Sequence, residues 1–334
     1  MAASGSEFDL IARYFTRPAP PGTLGVGDDC ALFAVDPECV LATSTDLLIE
    51  GVHFFSDVDP VGLGHKSLAV NLSDLAAMGA RPLGCLLGLA LPSVSESWLS
   101  AFAKGFHALA DTSGCPLLGG DTTRSLAGHT ISVTVFGQVP VATALRRAAA
   151  RPGDDIWLTG TLGAPDIALR ILQGRLSADP TVLQATRPFL DRPQPPLAFA
   201  AELPGKAHAA LDISDGLLQD LGHILKASEC GARLVYQCLP VHPSLSTLPE
   251  PVVRQAVLSG GDVYQLCFTA APAQAASLLA LARRYGVQLT RVGCITPEPG
   301  LVIEYNGQIM PWSGPGGFDH FSASATGAVP LPSP

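Results

Sequence analysis

Lys66-Ser67-Leu68-Ala69-Val70-Asn71-Leu72-Ser73-Asp74-Leu75-Ala76-Ala77-Met78-Gly79 is the stretch on which the architecture turns. Leu68, Leu72 and Leu75 recur at helical spacing, the pattern reaches back to Val61, and Gly79 stands where a helix stop belongs. The spacing predicts a helix over residues 61–78. Upstream, residues 40–45 read as a strand ending in a polar loop that carries Asp46 and His53. Before that, Phe8, Ile11 and Phe15 mark a short amphipathic helix. Downstream, Ser93 and Glu96 form an S-x-x-E capping box ahead of Trp98, Phe102, Phe106 and Leu109. Ile131, Val133 and Val135 then alternate with Thr130, Ser132 and Thr134, the pattern of a half-exposed strand.

Around residues 142–153 the chain becomes small, basic and glycine-terminated (Arg146, Arg147, Arg151, Pro152, Gly153), and a domain junction is placed there. Strand and helix keep alternating beyond it. Residues 155–159, 209–213, 234–238 and 264–269 read as strands, and Leu217, Leu218, Leu221, Ile224 and Leu225 mark a helix. Asn306-Gly307 between two β-prone runs is a two-residue hairpin signal. Residues after about Ser322 are small and proline-rich, the composition of a flexible tail.

The whole chain has 334 residues, 47% hydrophobic and 15% charged, enough for about two domains with true cores and far from a disordered composition. Its 29 acidic and 20 basic residues give a formal charge of −9, a surface that repels nucleic acid and anionic lipid. The eight cysteines include no C-x-x-C pair and sit mostly in apolar contexts, as buried free thiols of a reducing compartment do. No signal peptide opens the chain and no run is long enough to span a bilayer, so a cytoplasmic protein is expected.

Aspartates beside glycine, serine or threonine at the predicted ends of strands are the chemically informative feature. They are Gly27-Asp28-Asp29, Ser44-Thr45-Asp46, Ser73-Asp74, Gly119-Gly120-Asp121 and Asp212-Ile213-Ser214-Asp215-Gly216. Each alone suits an ordinary turn. Gathered together, such carboxylates repel one another unless cations neutralise them, and a hard oxygen-rich set suits Mg²⁺ bridging to phosphates. Three tempting motifs fail. Gly62-Leu63-Gly64-His65-Lys66-Ser67 has a histidine where a phosphate loop needs glycine before lysine. Asn71-Leu72-Ser73 is a glycosylation sequon in a chain nothing directs to secretion, and the histidines form no zinc array.

In order, EFDLIARYF (7–15), GVGDDCA (25–31), STD (44–46), GVHF (51–54), KSLAVNLSDLAAMG (66–79), GGDTTR (119–124), DISDGL (212–217) and FDHF (318–321) resemble the thiamine-monophosphate kinase family of the aminoimidazole ribonucleotide synthetase-like superfamily. The resemblance implies an α/β (α+β type) architecture of two domains: residues 1–141 for metal, ATP and dimerisation, residues 142–321 as a C-terminal α/β domain, and a tail over 322–334. It implies transfer of the terminal phosphoryl group of ATP to thiamine monophosphate, giving thiamine diphosphate, in a homodimer using several Mg²⁺ ions. By motif match, Asp29, Ser44, Thr45, Asp46, Asp74, Asp121, Asp212 and Asp215 are expected as metal ligands. Gly120, Asp121, Arg147 and Ser214 are expected at ATP, and His53, Asp262 and Phe318 at the acceptor.

One segment departs from the family pattern. Gly260-Gly261-Asp262-Val263-Tyr264-Gln265-Leu266 stands where the family tends to read Gly-Gly-Glu-Asp-Tyr-Glu-Leu. Val263 removes an acid and Gln265 neutralises another; harmless drift is the first reading of this change, and the alternative is an altered acceptor site. The acceptor phosphate is already largely ionised near neutrality, so no general base or covalent nucleophile is expected. Two alternatives stay open: another ATP-dependent synthetase of the superfamily, and a non-catalytic nucleotide-binding sensor. The first 24 residues hold no cysteine of the kind a selenophosphate synthetase uses.

Overall fold

The computed structural model describes residues 7–314 and 316–318. The described part begins with a single helical turn, α1 (Glu7–Leu10), followed by a π-helical turn at Ile11–Phe15. There follow β1 (Cys39–Ile49), α2 (Pro60–Ala77), β2 (Arg81–Leu91), α3 (Glu96–Ser113), β3 (Leu117–Arg124) and β4 (Thr130–Pro140). The second half runs β5 (Asp155–Thr159), α4 (Ala164–Leu172), α5 (Pro180–Asp191), α6 (Leu197–Ala200), β6 (Ala210–Asp212) and α7 (Leu217–Ala227). It continues with β7 (Gly231–Val235), α8 (Glu250–Ser259), β8 (Leu266–Ala270), α9 (Ala275–Tyr285), β9 (Leu289–Thr296), β10 (Gly300–Tyr305) and β11 (Gln308–Ile309). Two compact units result, one holding Arg81–Val141 with the chain up to Leu75, the other holding Ala76–Ala80 with the chain from Ala142 onward. The expected tail and Asp319–Phe321 of FDHF lie outside the described residues.

In the first unit a four-stranded sheet has the order β1-β4-β2-β3, with β3 parallel to β2 and the other pairings antiparallel. Period-two alternation sorts its faces. Ile131, Val133 and Val135 of β4 and Leu87 and Leu89 of β2 are buried. On β1 the same face carries Ser44, Asp46 and Leu48, while Leu41, Leu47 and Ile49 on the other face stay exposed. Helix α2 is buried almost all round, which is why Leu68, Leu72 and Leu75 share it with buried Ser67, Asn71 and Ser73. It meets α3 backbone to backbone: a Cβ on Gly64 would collide with Phe102 O, and one on Gly105 with Val61 O. Gly64 belongs to the spurious phosphate-loop match, and that stretch lies inside a helix.

The second unit holds a seven-stranded sheet of order β11-β10-β7-β9-β5-β8-β6, mixed because β10 runs parallel to β7. Its central strands are buried on both faces, as a sheet covered on two sides requires. Ile156, Leu158, Leu211 and Cys267 join one apolar cluster, and Trp157, Ala210, Leu266 and Phe268 join another. The hairpin closes as expected, with Asn306 and Gly307 both left-handed at φ 51° and 77°.

Four local expectations need correction. Strand β1 runs on to Ile49 because β4 pairs with it throughout, so Asp46 lies within a strand and not in the loop after it. Asp121 likewise lies inside β3 and Asp74 inside α2, so these acids do not sit at strand ends. Helix α3 is capped two residues later than expected, by Ser95, whose Oγ accepts from the Trp98 N–H at 3.4 Å. Glu96 turns instead to Arg13 at 3.0 Å. Over 234–238 the strand stops at Val235 and a 3₁₀ turn takes Tyr236–Cys238. Of the cysteines, Cys85, Cys115, Cys230 and Cys267 are buried thiols while Cys30 and Cys238 are exposed, and none is disulfide-bonded. No helix among the described residues is long and apolar enough to cross a membrane.

Candidate functional site

The first unit brings Asp46 of β1 and Asp74 of α2 together. Burial, and next the neighbouring Asp74 carboxylate, push Asp46 up to about 6. Two carboxylates held this way are costly without a counter-charge. Ser44, two residues back on the same strand face, donates its Oγ–H to Asp74 Oδ2 at 2.6 Å. The pair is held by a residue the sequence reading passed over as a failed sequon. Asn71 is fully buried, accepts the Asp46 N–H on Oδ1 at 2.9 Å and donates from Nδ2 to Ser67 O at 3.1 Å. The available signal was a second stripe on α2: Ser67, Asn71 and Asp74 follow i, i+4, i+7 beside the leucine stripe.

The other expected residues of this unit divide. The Thr45 side chain points away from Asp74 by strand alternation; its hydroxyl donates to Val133 O at 3.1 Å and accepts from Thr134 Oγ1 at 2.9 Å. Asp29 is exposed, and its N–H donates to Asp28 Oδ1 at 2.9 Å. Asp121 is exposed on β3, opposite Gly88. Gly120 has a structural cause as well, because a Cβ there would strike the Leu87 carbonyl of β2. His53 is half-buried, and its Nδ1 accepts the Ile49 N–H at 2.9 Å. With Nδ1 so used, the neutral ring carries its proton on Nε2.

The second unit builds its part around the turn from β6 into α7. Asp212 is buried at the strand end. Gly216 precedes the helix at φ 135°, where a Cβ would lie 2.7 Å from Ser259 O. The turn is organised by Asp220, another residue absent from the sequence-based set, whose Oδ2 accepts the N–H of Gly216 at 2.9 Å and of Asp215 at 3.1 Å. Burial pushes Asp220 up to about 6 against the pull of these bonds. Asp220→Ala leaves two donors unpaired in a buried place and should cost about 2–4 kcal/mol in urea unfolding. Asp220→Asn keeps an acceptor oxygen and should cost about 1 kcal/mol or less.

Against this turn lies the segment that departs from the family pattern. Asp262 N–H donates to Ser214 O at 2.8 Å and Tyr264 N–H to Ile213 O at 2.8 Å. The Tyr264 hydroxyl donates to Asp262 Oδ1 at 3.2 Å. Asp166 of α4 abuts Gly260, and burial raises its carboxyl in spite of Arg170 at 2.8 Å. Val263 is 6% exposed and packed into the apolar cluster of the unit. The expectation that Val263 marks an altered acceptor surface is therefore replaced by a core-packing role. Gln265 bonds Thr159 Oγ1 at 2.8 Å and Gln194 O at 2.9 Å, a structural tie that needs an amide's donor and acceptor together.

Phe318, 46% exposed, donates its N–H to Asp215 O at 3.0 Å. Arg147 is exposed and its guanidinium makes no ion pair among the described residues, so its charge is available to a ligand. A cavity of about 400 Å³ lies elsewhere, between the π-helical turn and α3, and includes none of these residues. Its arginines, Arg13 and Arg17, already pair with Glu96 and Asp111. Among the described residues no three His, Cys, Asp or Glu side chains lie close enough together to hold a metal by themselves. The acidic residues thus include a carboxylate pair, Asp46 and Asp74, in the first unit and the turn-borne Asp212 and Asp215 in the second.

Two family models match in sequence: AIR synthase related protein, N-terminal domain, over residues 27–139, and its C-terminal domain over 151–306. The chain belongs to the AIR synthase related family, and within it to the thiamine-monophosphate kinases. It is 43% identical over 325 residues to the thiamine-monophosphate kinase of Escherichia coli strain K12, covering 95% of this chain and 98% of that one. The crystal structure of the Stenotrophomonas maltophilia K279a thiamine-monophosphate kinase superposes with a TM-score of 0.80 at 43% identity, over 87% of this chain and 93% of that one. AaThiL complexed with AMPPCP and TMP superposes at 0.71 with 27% identity, over 86% of this chain and 89% of that one.

Proposed function

We propose that this chain is an ATP-dependent kinase that converts thiamine monophosphate to thiamine diphosphate in the cytoplasm. The observation that carries the reading is the Asp46–Asp74 carboxylate pair, held by Asn71 and Ser44 in a partly buried setting that calls for a cation. Family membership supplies the substrates: relatives over nearly the full chain are thiamine-monophosphate kinases, and a solved relative holds an ATP analogue with TMP.

In the reaction an acceptor phosphate oxygen attacks the γ-phosphorus of ATP, and the bond from that phosphorus to the β,γ-bridging oxygen breaks to leave ADP. No side chain needs to remove a proton, because a phosphomonoester is mostly dianionic above pH ~6. The difficulty is charge: two anions must approach in line. Asp29, Ser44, Asp46, Asp74 and Asp121 in the first unit, and Asp212 and Asp215 in the second, each offer hard oxygen donors of the kind Mg²⁺ takes. Bound there, several Mg²⁺ ions would offset the repulsion between donor and acceptor phosphates and the charge on the leaving oxygen. Thr45 would add a further oxygen, although its hydroxyl is engaged with β4. Gly120 lets the β3 backbone come close to phosphate, Ser214 offers a hydroxyl, and Arg147 supplies an unpaired cation to the nucleotide. His53 Nε2–H, the Asp262 carboxylate and the Phe318 ring serve the acceptor, the acid suiting the positive charge of the thiamine ring.

The open face of the first sheet favours a homodimer. Leu41 and Leu47 are 47% and 57% exposed on β1, beside Ile49, and a second copy of that face would cover them.

The deciding assay measures ADP and thiamine diphosphate from purified protein with thiamine monophosphate or free thiamine, with and without Mg²⁺. Product should form only with the monophosphate and only with the metal, and EDTA should abolish it. Turnover of free thiamine at a comparable rate, or unchanged turnover in EDTA, would sink the proposal.

A further inference from the structure

Gln219, in the first turn of α7, touches two functional segments through one side chain. Its Nε2 donates to Phe318 O at 2.7 Å and to Asp215 Oδ2 at 3.1 Å. A carboxamide nitrogen has two hydrogens, so both are used. The main chain repeats the connection: Gln219 N–H donates to Gly316 O at 3.1 Å, and Phe318 N–H donates to Asp215 O at 3.0 Å. Between them Gly317 lies so close that a Cβ would stand 2.7 Å from both Asp215 O and Gln219 Cβ. Residues 316–318 therefore form a strap laid across the start of α7 in one register, with Phe318 at its end.

We propose that Gln219 is a positioning residue that clasps this strap to Asp215, so that one amide sets both the carboxylate offered to the nucleotide's cation and the aromatic ring offered to the acceptor. The inference rests on the roles given above to Asp215 and Phe318. Its consequence is specific: the two substrate sides are mechanically linked within the second unit, and loosening the amide disturbs both. A side chain that merely filled space would not do this, since its loss would change stability and leave both Michaelis constants alone. The geometry also separates Gln from its near relatives. Methionine keeps the length and loses both donors, while glutamate keeps the length, loses the donors and places a second negative charge beside Asp215.

The test compares wild type, Gln219→Met and Gln219→Glu in steady-state kinetics, with amide hydrogen exchange over the strap and thermal unfolding measured in parallel. In Gln219→Met, KM for thiamine monophosphate and the Mg²⁺ concentration for half-maximal rate should both rise, by about fivefold to tenfold, the effect of losing one or two modest hydrogen bonds. Gln219→Glu should be worse on both. The Gly317 and Phe318 amides should exchange at least about tenfold faster in both variants. Wild-type constants in Gln219→Met would overturn the proposal, as would a lowered Tm with unchanged constants and exchange. Faster strap exchange with an unchanged acceptor KM would overturn it too, since the clasp would then have no bearing on the acceptor. If the wild type fails to phosphorylate thiamine monophosphate, the functional reading fails by itself. Exchange at Gly317 and Phe318 still decides the clasp: acceleration in Gln219→Met retains it and protection equal to wild type removes it.

Discussion

Asp46→Asn should lower kcat by about two to three orders of magnitude while the protein stays folded, a loss of roughly 3–4 kcal/mol of transition-state stabilisation. Asparagine is nearly isosteric, and the main-chain bond from residue 46 to Asn71 Oδ1 does not involve the altered group. What disappears is the charge beside Asp74, and a neutral amide is a poor ligand for a hard cation. Proton occupancy of the wild-type carboxyl gives a second signature. Asp46 is pushed up to about 6, chiefly by burial and then by Asp74. As pH falls through that value the carboxylate is neutralised and comes to resemble the amide. At low Mg²⁺ the ratio of wild-type to Asp46→Asn rates should therefore shrink below pH 6 and reach a plateau above it. Using the ratio cancels titration of the substrate phosphate, which both proteins share. Circular dichroism with steady-state kinetics at each pH checks this, and a fully active Asp46→Asn would remove the cation site. Asp212→Asn should act similarly from the other unit.

Gly105→Val should destabilise the first unit by more than about 3 kcal/mol, the cost of forcing branched bulk into a packed contact. The added Cβ would meet the Val61 carbonyl, which is main chain and cannot rotate away. Gly64 makes the reciprocal approach to Phe102 O, so the crossing of α2 and α3 depends on the absence of two side chains. Gly105→Ala should show the same sign with a smaller cost, about 1–3 kcal/mol. Because α2 also carries Asn71 and Asp74, residual folded Gly105→Val protein should need more Mg²⁺ for half-maximal rate. Urea unfolding and a Mg²⁺ titration of activity measure the two effects.

Local periodicity carried much of the fold. The leucine stripe of α2, the alternation of β4 and the Asn306-Gly307 turn each depend on neighbours a few residues apart, and each forms as the pattern says. The acidic residues were found by composition around them, but their settings were misjudged. Asp46 owes its place to pairing with β4 and to Asn71, 25 residues away, and Asp74 to Ser44, 30 residues away. No local spacing encodes contacts of that range. Asn71, Asp220 and Gln219 escaped notice for the same reason: each acts on the main chain or carboxylate of a better-marked neighbour. Val263 misled in the opposite direction, since a missing charge in a family pattern says nothing of where the side chain points. The shifted cap of α3 is a smaller case, in which two nearby serines offered alternatives and tertiary contact of Glu96 with Arg13 accompanies the later one.

Asp262 and Tyr264 both adopt left-handed backbone, at φ 60° and 51°, on either side of buried Val263. Side-chain-bearing residues pay roughly 1–2 kcal/mol each for that conformation, which glycine adopts without strain. The loop is thus a loaded spring, latched by its bonds to Ile213 and Ser214. A library screened only for heat resistance would drift toward glycine at position 262 and discard the acid, so selection here has to be made for tolerance of heat and for acceptor capture at once.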